Sequence, residues 1–345
     1  MRNLPFLCGS RRLPLAAGAG KARTLVTLLG LASILPWYLP AALADTLFVA
    51  DFRAGSIYTF GLDGARTTFA SGLNFPGDVA FDRSGSLYVS EFNTGTIYKY
   101  TSGGTRTVFA SGLGAPNMIA VDPSGNVYAE SNDSYNNGPV YKIRPDGTWS
   151  LLAQLGYYPH AMACDQSGNL FVASGASGDI YKFSPNGAQS VFASPPGFVE
   201  GVTFGPDGLL YEGNFSSDIR RFSLDGTQST EVATGVVYPL SLAFDSKGDL
   251  FSAEGAKINE FVNTAGVLAS TPVVFASGFQ DANGIAFQPV PEPSAWTLLA
   301  IGAIFLLAKQ SRCSRAPKTE TGPRSPFARV APSTSQRAKN QILMS

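Results

Sequence analysis

The stretches Leu47-Phe48-Val49-Ala50-Asp51-Phe52 and Leu87-Tyr88-Val89-Ser90-Glu91-Phe92 are near copies. The pattern returns as VYAESN from Val127, LFVASG from Leu170, LYEGNF from Leu210 and LFSAEG from Leu250, at intervals of 40, 40, 43, 40 and 40 residues. A fixed period of this length marks a repeat architecture. After each copy comes a second apolar stretch (SIYTF, TIYKY, PVYKI, DIYKF, DIRRF, KINEF) that leads into a turn such as Leu62-Asp63-Gly64 or Pro145-Asp146-Gly147, and Asp-Gly is a strong hairpin signal. A third stretch of the TTFA or VVFA type and a fourth of the DVAFD or GIAFQ type complete the unit. All are short and rich in β-branched and aromatic residues, whereas a helix needs a 3.6-residue period sustained over roughly ten positions or more. Four short strands per unit make a propeller blade. The fold class is therefore all-β, and six units predict a six-bladed β-propeller over residues 45–290. The first unit opens at Leu47, and the strand that completes it, Gly284 to Phe287, arrives only at the other end. The N- and C-terminal strands are expected to share one blade, which protects the sheet edges that an open array would leave unpaired.

The whole chain balances 25 Lys+Arg against 25 Asp+Glu, but residues 45–290 hold 12 against 23, a net −11. An acidic core argues against a nucleic-acid partner. Most of these acids sit in tight turns such as Asp82-Arg83-Ser84-Gly85, where Asp accepts local backbone hydrogen bonds and Gly supplies positive φ. Of three cysteines, Cys8 and Cys313 lie in the end segments, and Cys164 stands where other units carry Phe81, Val121 or Phe244, a buried apolar position.

The basic ends carry targeting patterns. Arg11, Arg12, Lys21 and Arg23 precede an apolar run from Thr24 to Leu35, and Ala42-Leu43-Ala44 closes residues 1–44 as a signal peptide with cleavage after Ala44. At the other end Pro291-Glu292-Pro293 precedes an apolar stretch, 295–308, and then Lys309, Arg312 and Arg315. The stretch reaches only about 21 Å as a helix against a hydrocarbon core of about 30 Å, a short transmembrane hold with its basic flank on the cytoplasmic side. This order over residues 291–315 resembles the PEP-CTERM sorting signal of Gram-negative bacteria. The resemblance implies processing by an exosortase-like enzyme and delivery to the periplasm, outer surface or extracellular matrix. Residues 316–345, rich in Ser, Pro and Arg, read as a disordered tail.

Variation on one face of a repeat marks its binding face. Loops on one face carry Phe75, Tyr157, Tyr158, Phe198, Tyr238 and Phe279. Aligned on Ala80, Ala120, Ala163, Thr203, Ala243 and Ala286, the innermost strands place Gly77, Asn117, His160, Glu200, Leu240 and Asn283 at equivalent positions around one channel mouth, with Asp78 one residue further in. One strand outward stand Asp51, Glu91, Ser131, Ser174, Asn214 and Glu254. Carboxylates and amides without cysteine suit a hard cation such as Ca²⁺, Mg²⁺ or Mn²⁺; hydrated channel residues bonded to neighbouring blades are the plain alternative. His160 is the only histidine, which excludes a multi-histidine zinc site and leaves one candidate acid–base group.

Phrases such as Phe204-Gly205-Pro206-Asp207-Gly208-Leu209-Leu210-Tyr211 and Gly178-Asp179-Ile180-Tyr181-Lys182-Phe183 resemble NHL-repeat propellers and the senescence-marker/gluconolactonase group. Streptogramin-lyase-like propellers share the phrases on seven blades. The gluconolactonase resemblance implies a divalent cation in the channel, with Glu200, Asn117 and Asn283 at the matching ligand positions and Asp78 beside them.

Two functions follow as expectations. The first is an exported module that binds matrix polysaccharide, a surface protein or a small ligand, with Tyr158, Phe198, Tyr238, Asp51, Glu91 and Glu254 as contacts. The second is a metal-dependent hydrolase of lactones or related esters, with Glu200, Asn283, Asn117 and Asp78 as ligands and a carboxylate or His160 moving protons.

Overall fold

The computed structural model describes residues 45–289, apart from 62, 133–137, 157–158 and 176. The signal peptide with Ala44, the Pro291-Glu292-Pro293 motif, the 295–308 segment, the tail and Tyr158 lie outside the described residues. The chain divides into two compact units, 1–291 and 292–345, and the described residues belong to the first.

The described region is all-β. Three strands come first, β1 (Leu47–Asp51), β2 (Ser56–Phe60) and β3 (Arg66–Ser71). Four antiparallel sheets of four strands follow. One holds β4 (Pro76–Phe81), β5 (Leu87–Glu91), β6 (Thr96–Tyr100) and β7 (Arg106–Ser111), and the next β8 (Pro116–Val121), β9 (Val127–Ser131), β10 (Pro139–Ile143) and β11 (Trp149–Gln154). The third holds β12 (Pro159–Cys164), β13 (Leu170–Ser174), β14 (Ile180–Phe183) and β15 (Gln189–Ala193), and the fourth β16 (Val199–Phe204), β17 (Leu210–Asn214), β18 (Asp218–Phe222) and β19 (Ser229–Thr234). The chain then forms β20 (Ser241–Phe244), β21 (Leu250–Ala253), β22 (Gly255–Phe261), a small hairpin of β23 (Asn263–Thr264) and β24 (Val267–Leu268), and the long β25 (Val273–Phe287).

The last sheet runs β20-β21-β22-β25-β1-β2-β3. The first half of β25 pairs with β22, and its second half pairs with β1, Leu47 opposite Phe287 and Ala50 opposite Gly284. The sequence suggests two strands with a loop between them here, and the two halves of β25 do take different partners across a break at Gly278, whose φ is 83° and where the ladder jumps from Ser277 opposite Lys257 to Ala282 opposite Gly255. Its midpoint is held from both sides, since Ala282 stands opposite Gly255 and the Asp51 carboxylate accepts the N–H groups of Gln280 and Asp281, each at 2.9 Å. Phe279 turns inward at this point. The β23–β24 hairpin is a further addition, made by Ala265 and Gly266 at φ of 55° and 86°, the paired left-handed conformation of a tight hairpin turn.

Every repeat strand of the LFVAD type is buried along its length because both of its faces meet another sheet. Phe48, Ala50 and Ile57 pack against Val79, Leu87 and Val89 of the following sheet, and Phe171, Ala173 and Ile180 against Val199, Val202 and Leu210. A strand covered on both faces reads as a continuous apolar run, which is why the repeat is so visible. The first strands of the sheets lie beside one another in the order β4, β8, β12, β16, β20, β25, and β25 lies beside β4. Among the described residues no helix is long and apolar enough to cross a membrane.

At one end of these strands the turns are uniform. The Asp82 Oδ1 atom accepts the N–H groups of Ser84 and Ser86, and Asp122, Asp165 and Asp245 do the same for residues two and four further on. These aspartates serve as turn formers. Cys164 at this end is half-buried, packed on the cluster of Met118, Tyr128 and Met162, and burial pushes its thiol up.

Two strands break the apolar pattern, β21 with Ser252 opposite Asn259 and β17 with a charge. Val49, Val89, Ala129 and Val172 stand opposite Tyr58, Tyr98, Tyr141 and Tyr181, but at the same place β17 puts Glu212 opposite Arg220. Glu212 is fully buried, while the Arg220 guanidinium turns to Asp218 at 2.8 and 3.0 Å. Burial lifts the Glu212 carboxyl from 4.5 to about 7, with the Arg220 charge pulling the other way. The folded chain therefore holds this proton more tightly than the unfolded one, and stability falls as pH rises from about 4.5 through about 7. Glu212→Gln should raise the melting temperature at pH 8 and leave it nearly unchanged at pH 4, measured by thermal unfolding of the full chain.

Candidate functional site

The ladders between each first strand and its neighbour slip at one place. Register breaks fall between Pro76 and Val79, Pro116 and Ile119, Pro159 and Ala161, and Val199 and Gly201, and β25 skips Asn283 opposite β1. The residues left out are Gly77 and Asp78, Asn117 and Met118, His160, Glu200, and Asn283. A β-bulge bends the strand and re-aims a side chain. Here Asn117, His160, Glu200 and Asn283, with Leu240 just before β20, line one cavity of about 410 Å³ whose walls also include Met118, Glu130, Asn132, Pro159, Phe215 and Tyr238. Five of the six positions aligned from the sequence thus meet around one space.

Within it the polar groups pair. His160 Nδ1 stands 3.4 Å from Glu200 Oε2, the imidazole partly exposed and the carboxylate buried. Asn283 Nδ2 donates to Asn117 Oδ1 at 3.2 Å. The sixth position is Gly77 because Asn117 leans over it: a Cβ there would lie 2.5 Å from Asn117 Oδ1 and 2.8 Å from its carbonyl oxygen. The cavity thus has an amide pair, an imidazole–carboxylate pair, and an apolar part from Leu240, Met118, Phe215 and Tyr238. That suits a small polar molecule with one apolar face.

Asp78 has another task. Its Oδ1 accepts the N–H of Val79 at 2.8 Å and its Oδ2 that of Ile119 at 3.0 Å, which ties β4 to β8. Burial outweighs these two bonds and raises its carboxyl to about 7, and it is absent from the cavity wall. The outer acids are likewise committed to backbone or to close partners. Asp51 takes the amides of Ala54, Gln280 and Asp281, and Glu91 takes that of Asn74 and the hydroxyl of Thr94. Glu254 accepts from Ser252 and Asn259 and faces Lys257 at 3.3 Å. Asp51 and Glu91 hold the loops that enter the innermost strands. None of the three lines the cavity.

The aromatic loops divide. Phe279 is buried among Phe60 and its neighbours, so it belongs to the core and not to the rim. Phe198 and Tyr238 are exposed and join Phe215, with ring centroids 6.2 and 4.4 Å from it. A second trio forms where Phe52 meets Phe75 at 4.9 Å and Phe92 at 5.7 Å. Phe52, Phe92 and Phe215 escape the sequence reading, which sought binding aromatics in loops. Their signal is the sixth place of the repeat, aromatic in three units and Asn132, Gly175 or Gly255 in the others.

Among the described residues no group of three or more His, Cys, Asp or Glu gathers as a metal-binding cluster. The oxygen donors on the cavity wall are the carboxylates of Glu200 and Glu130, the latter accepting the Met118 N–H at 3.2 Å, and the amide oxygens of Asn117, Asn132 and Asn283, with the Asn117 oxygen already accepting a bond. Such a set could hold a hard cation only with water completing its shell.

No family model and no curated protein matches the sequence. Solved β-propeller structures match the fold. A gluconolactonase from Xanthomonas campestris superposes with a TM-score of 0.54 at 21% identity, over 61% of this chain and 79% of that one. Virginiamycin B lyase from Staphylococcus aureus gives 0.53 at 18%, over 66% and 80%. A calcium-binding regucalcin from Agrobacterium tumefaciens gives 0.52 at 14%, over 60% and 77%. At these identities the likeness is one of fold. Gly77→Ala should push Asn117 off its bond to Asn283 and cost roughly 1–3 kcal/mol as an overpacked contact, read from denaturant unfolding together with the Asn283 side-chain amide resonances.

Proposed function

We propose that this protein is an exported six-bladed propeller that works as a binding module, taking a small uncharged polar ligand into its central cavity. The observation that carries this reading is the convergence of Asn117, His160, Glu200 and Asn283 from four different sheets on one 410 Å³ space walled on one side by Phe215 and Tyr238. The amide pair offers both donors and acceptors, which match hydroxyl or carbonyl groups without selecting a charge. The six-bladed arrangement draws support from the side-by-side order of the first strands and the return of β25 to β1. Export draws support from the sequence patterns at 1–44 and 291–315, with an exosortase-like enzyme as processing partner.

A second reading is favoured by the oxygen donors of Glu200, Asn117 and Asn283 and by the gluconolactonase and regucalcin folds. In it those three residues would hold a divalent cation, which would supply polarisation of a lactone carbonyl, and His160 beside Glu200 would be the group to move a proton.

Thermal unfolding of the full chain separates the two. With glucose, galactose, mannose or glucono-1,5-lactone at about a hundred times the dissociation constant, binding to the folded state should add about 2.7 kcal/mol, and an Asn117→Ala/Asn283→Ala double variant should lose that gain. No shift with any of these, or a shift that survives the double variant, defeats the binding reading. Stabilisation by CaCl₂ or MnCl₂ that vanishes in Glu200→Gln, together with lactone turnover, would put the hydrolase first.

A further inference from the structure

Two aromatic trios stand at the end of the sheets where the cavity opens. Phe92 and Phe52 occupy the same place in the repeat as Phe215 and Asn132, which line the cavity, and Phe75 occupies the same place as Tyr238, which also lines it. A recurring backbone bond assembles each trio: Phe92 N–H donates to the Phe75 carbonyl at 3.0 Å and Phe215 N–H to the Phe198 carbonyl at 3.1 Å. The trios are centred on β4–β5 and β16–β17. In the side-by-side order of first strands, β4 and β16 are three steps apart in either direction, by β8 and β12 or by β25 and β20. Phe75 with Phe92 and Phe198 with Phe215 therefore stand across the ring of first strands from each other, while Phe52 after β1 and Tyr238 before β20 extend the trios onto the neighbouring sheets along one side of the mouth.

A second observation shows that these rings are held outward at a cost. Among the described residues, four other than glycine adopt left-handed backbone, Phe75, Ser217, Tyr238 and Ala265. Two of them are trio members at the same repeat position, with φ of 59° and 50°, where a bulky residue is strained. The strain holds up rings that remain 39% and 53% exposed. Backbone strain of this kind is retained where a site needs it.

The surroundings select the occupant. Between the trios lie the amides of Asn117 and Asn283, with Asn132 beside them, and Asn93 and Asn74 bond each other beside Phe92 and Phe75. The mouth's charges are matched or engaged: Arg53 faces Asp281 at 3.1 Å, His160 faces Glu200, Glu130 in the cavity wall accepts the Met118 N–H, and Asp51 and Glu91 are buried on backbone amides. A surface of flat aromatic faces, neutral amides and few unmatched charges suits a chain that is apolar on its C–H faces, rich in hydroxyls at its edges and uncharged.

We propose that the mouth binds an extended neutral polysaccharide, one sugar unit seated in the cavity and units on either side stacked on the Phe52–Phe75–Phe92 and Phe198–Phe215–Tyr238 trios. This deepens the binding reading and rests on it. Both trios being engaged by one chain, each adds to the affinity for a polymer, as expected when linked contacts act together; of the six rings, a single sugar in the cavity meets Phe215 and Tyr238, which wall it.

The test is affinity electrophoresis of the full chain through gels containing dextran, galactomannan, xyloglucan or hydroxyethylcellulose, with alginate as the anionic control. At least one neutral polymer should retard the protein and alginate should not. Phe75→Gly/Phe92→Ala and Phe198→Ala should each weaken that polymer at least tenfold while leaving the thermal shift by its monosaccharide unchanged. The glycine change relieves the left-handed backbone at 75, so the melting temperature of Phe75→Gly alone should hold, which separates lost binding from lost folding. Absence of retardation by every neutral polymer, stronger retardation by alginate, or retardation indifferent to both trios overturns the proposal. So does capture of an apolar polypeptide such as β-casein in place of the polymers. Monosaccharide binding that survives such a result leaves the cavity reading standing; polymer binding that ignores Asn117→Ala/Asn283→Ala places the fault in the cavity instead.

Discussion

The contact on which the rest depends is the pairing of the last described strand with the first. Residues 282–287 have no partner of their own in the sixth unit; they become the innermost strand beside β1. The ladder is reinforced where it would be weakest, at the bulge that skips Asn283, because the buried Asp51 carboxylate gathers three backbone amides there, two of them from β25. Without that pairing β1 would be an exposed edge, an invitation to pair with another chain, and Asn283 would have nothing to hold it opposite Asn117.

The innermost strands approach so closely that their contacts decide which side chains are allowed. Gly284 faces Asp78, where a Cβ would fall 2.2 Å from the carboxylate oxygen, and Asp78 in turn holds the backbone of β8. Ser241 does the same for Ile285 of β25 at 3.2 Å. Small residues and short polar side chains knit neighbouring sheets, and the polar residues of the innermost strands that turn toward the cavity, Asn117, His160, Glu200 and Asn283, sit at the bulges. The division between structural and site polar groups is therefore made by one residue of register.

This explains what was legible in the sequence. The all-β class and the period of the units were plain because strands buried on both faces repeat their apolar runs. The cavity residues Asn117, His160, Glu200, Leu240 and Asn283 could be aligned because each precedes a recognisable innermost strand by the same number of residues. Asp78 was not separable from them, since a bulge leaves no mark in the sequence. Asp51, Glu91 and Glu254 read as ligands because a carboxylate committed to backbone amides, hydroxyls and side-chain amides looks the same in sequence as one facing solvent. Phe279 read as a loop residue of the binding face where its ring is buried against Tyr58 and Phe60, and Phe215 read as the end of a strand where it stands at the rim.

One consequence of the β1–β25 pairing concerns direction. Leu47 is paired with Phe287 at the end of the ladder away from Asn283, so the described polypeptide both enters and leaves on the side of the uniform Asp-Gly turns. A tether, tag or fused domain carried at either terminus starts from that far side, and whatever the cavity takes in can approach from the other without passing the point of attachment.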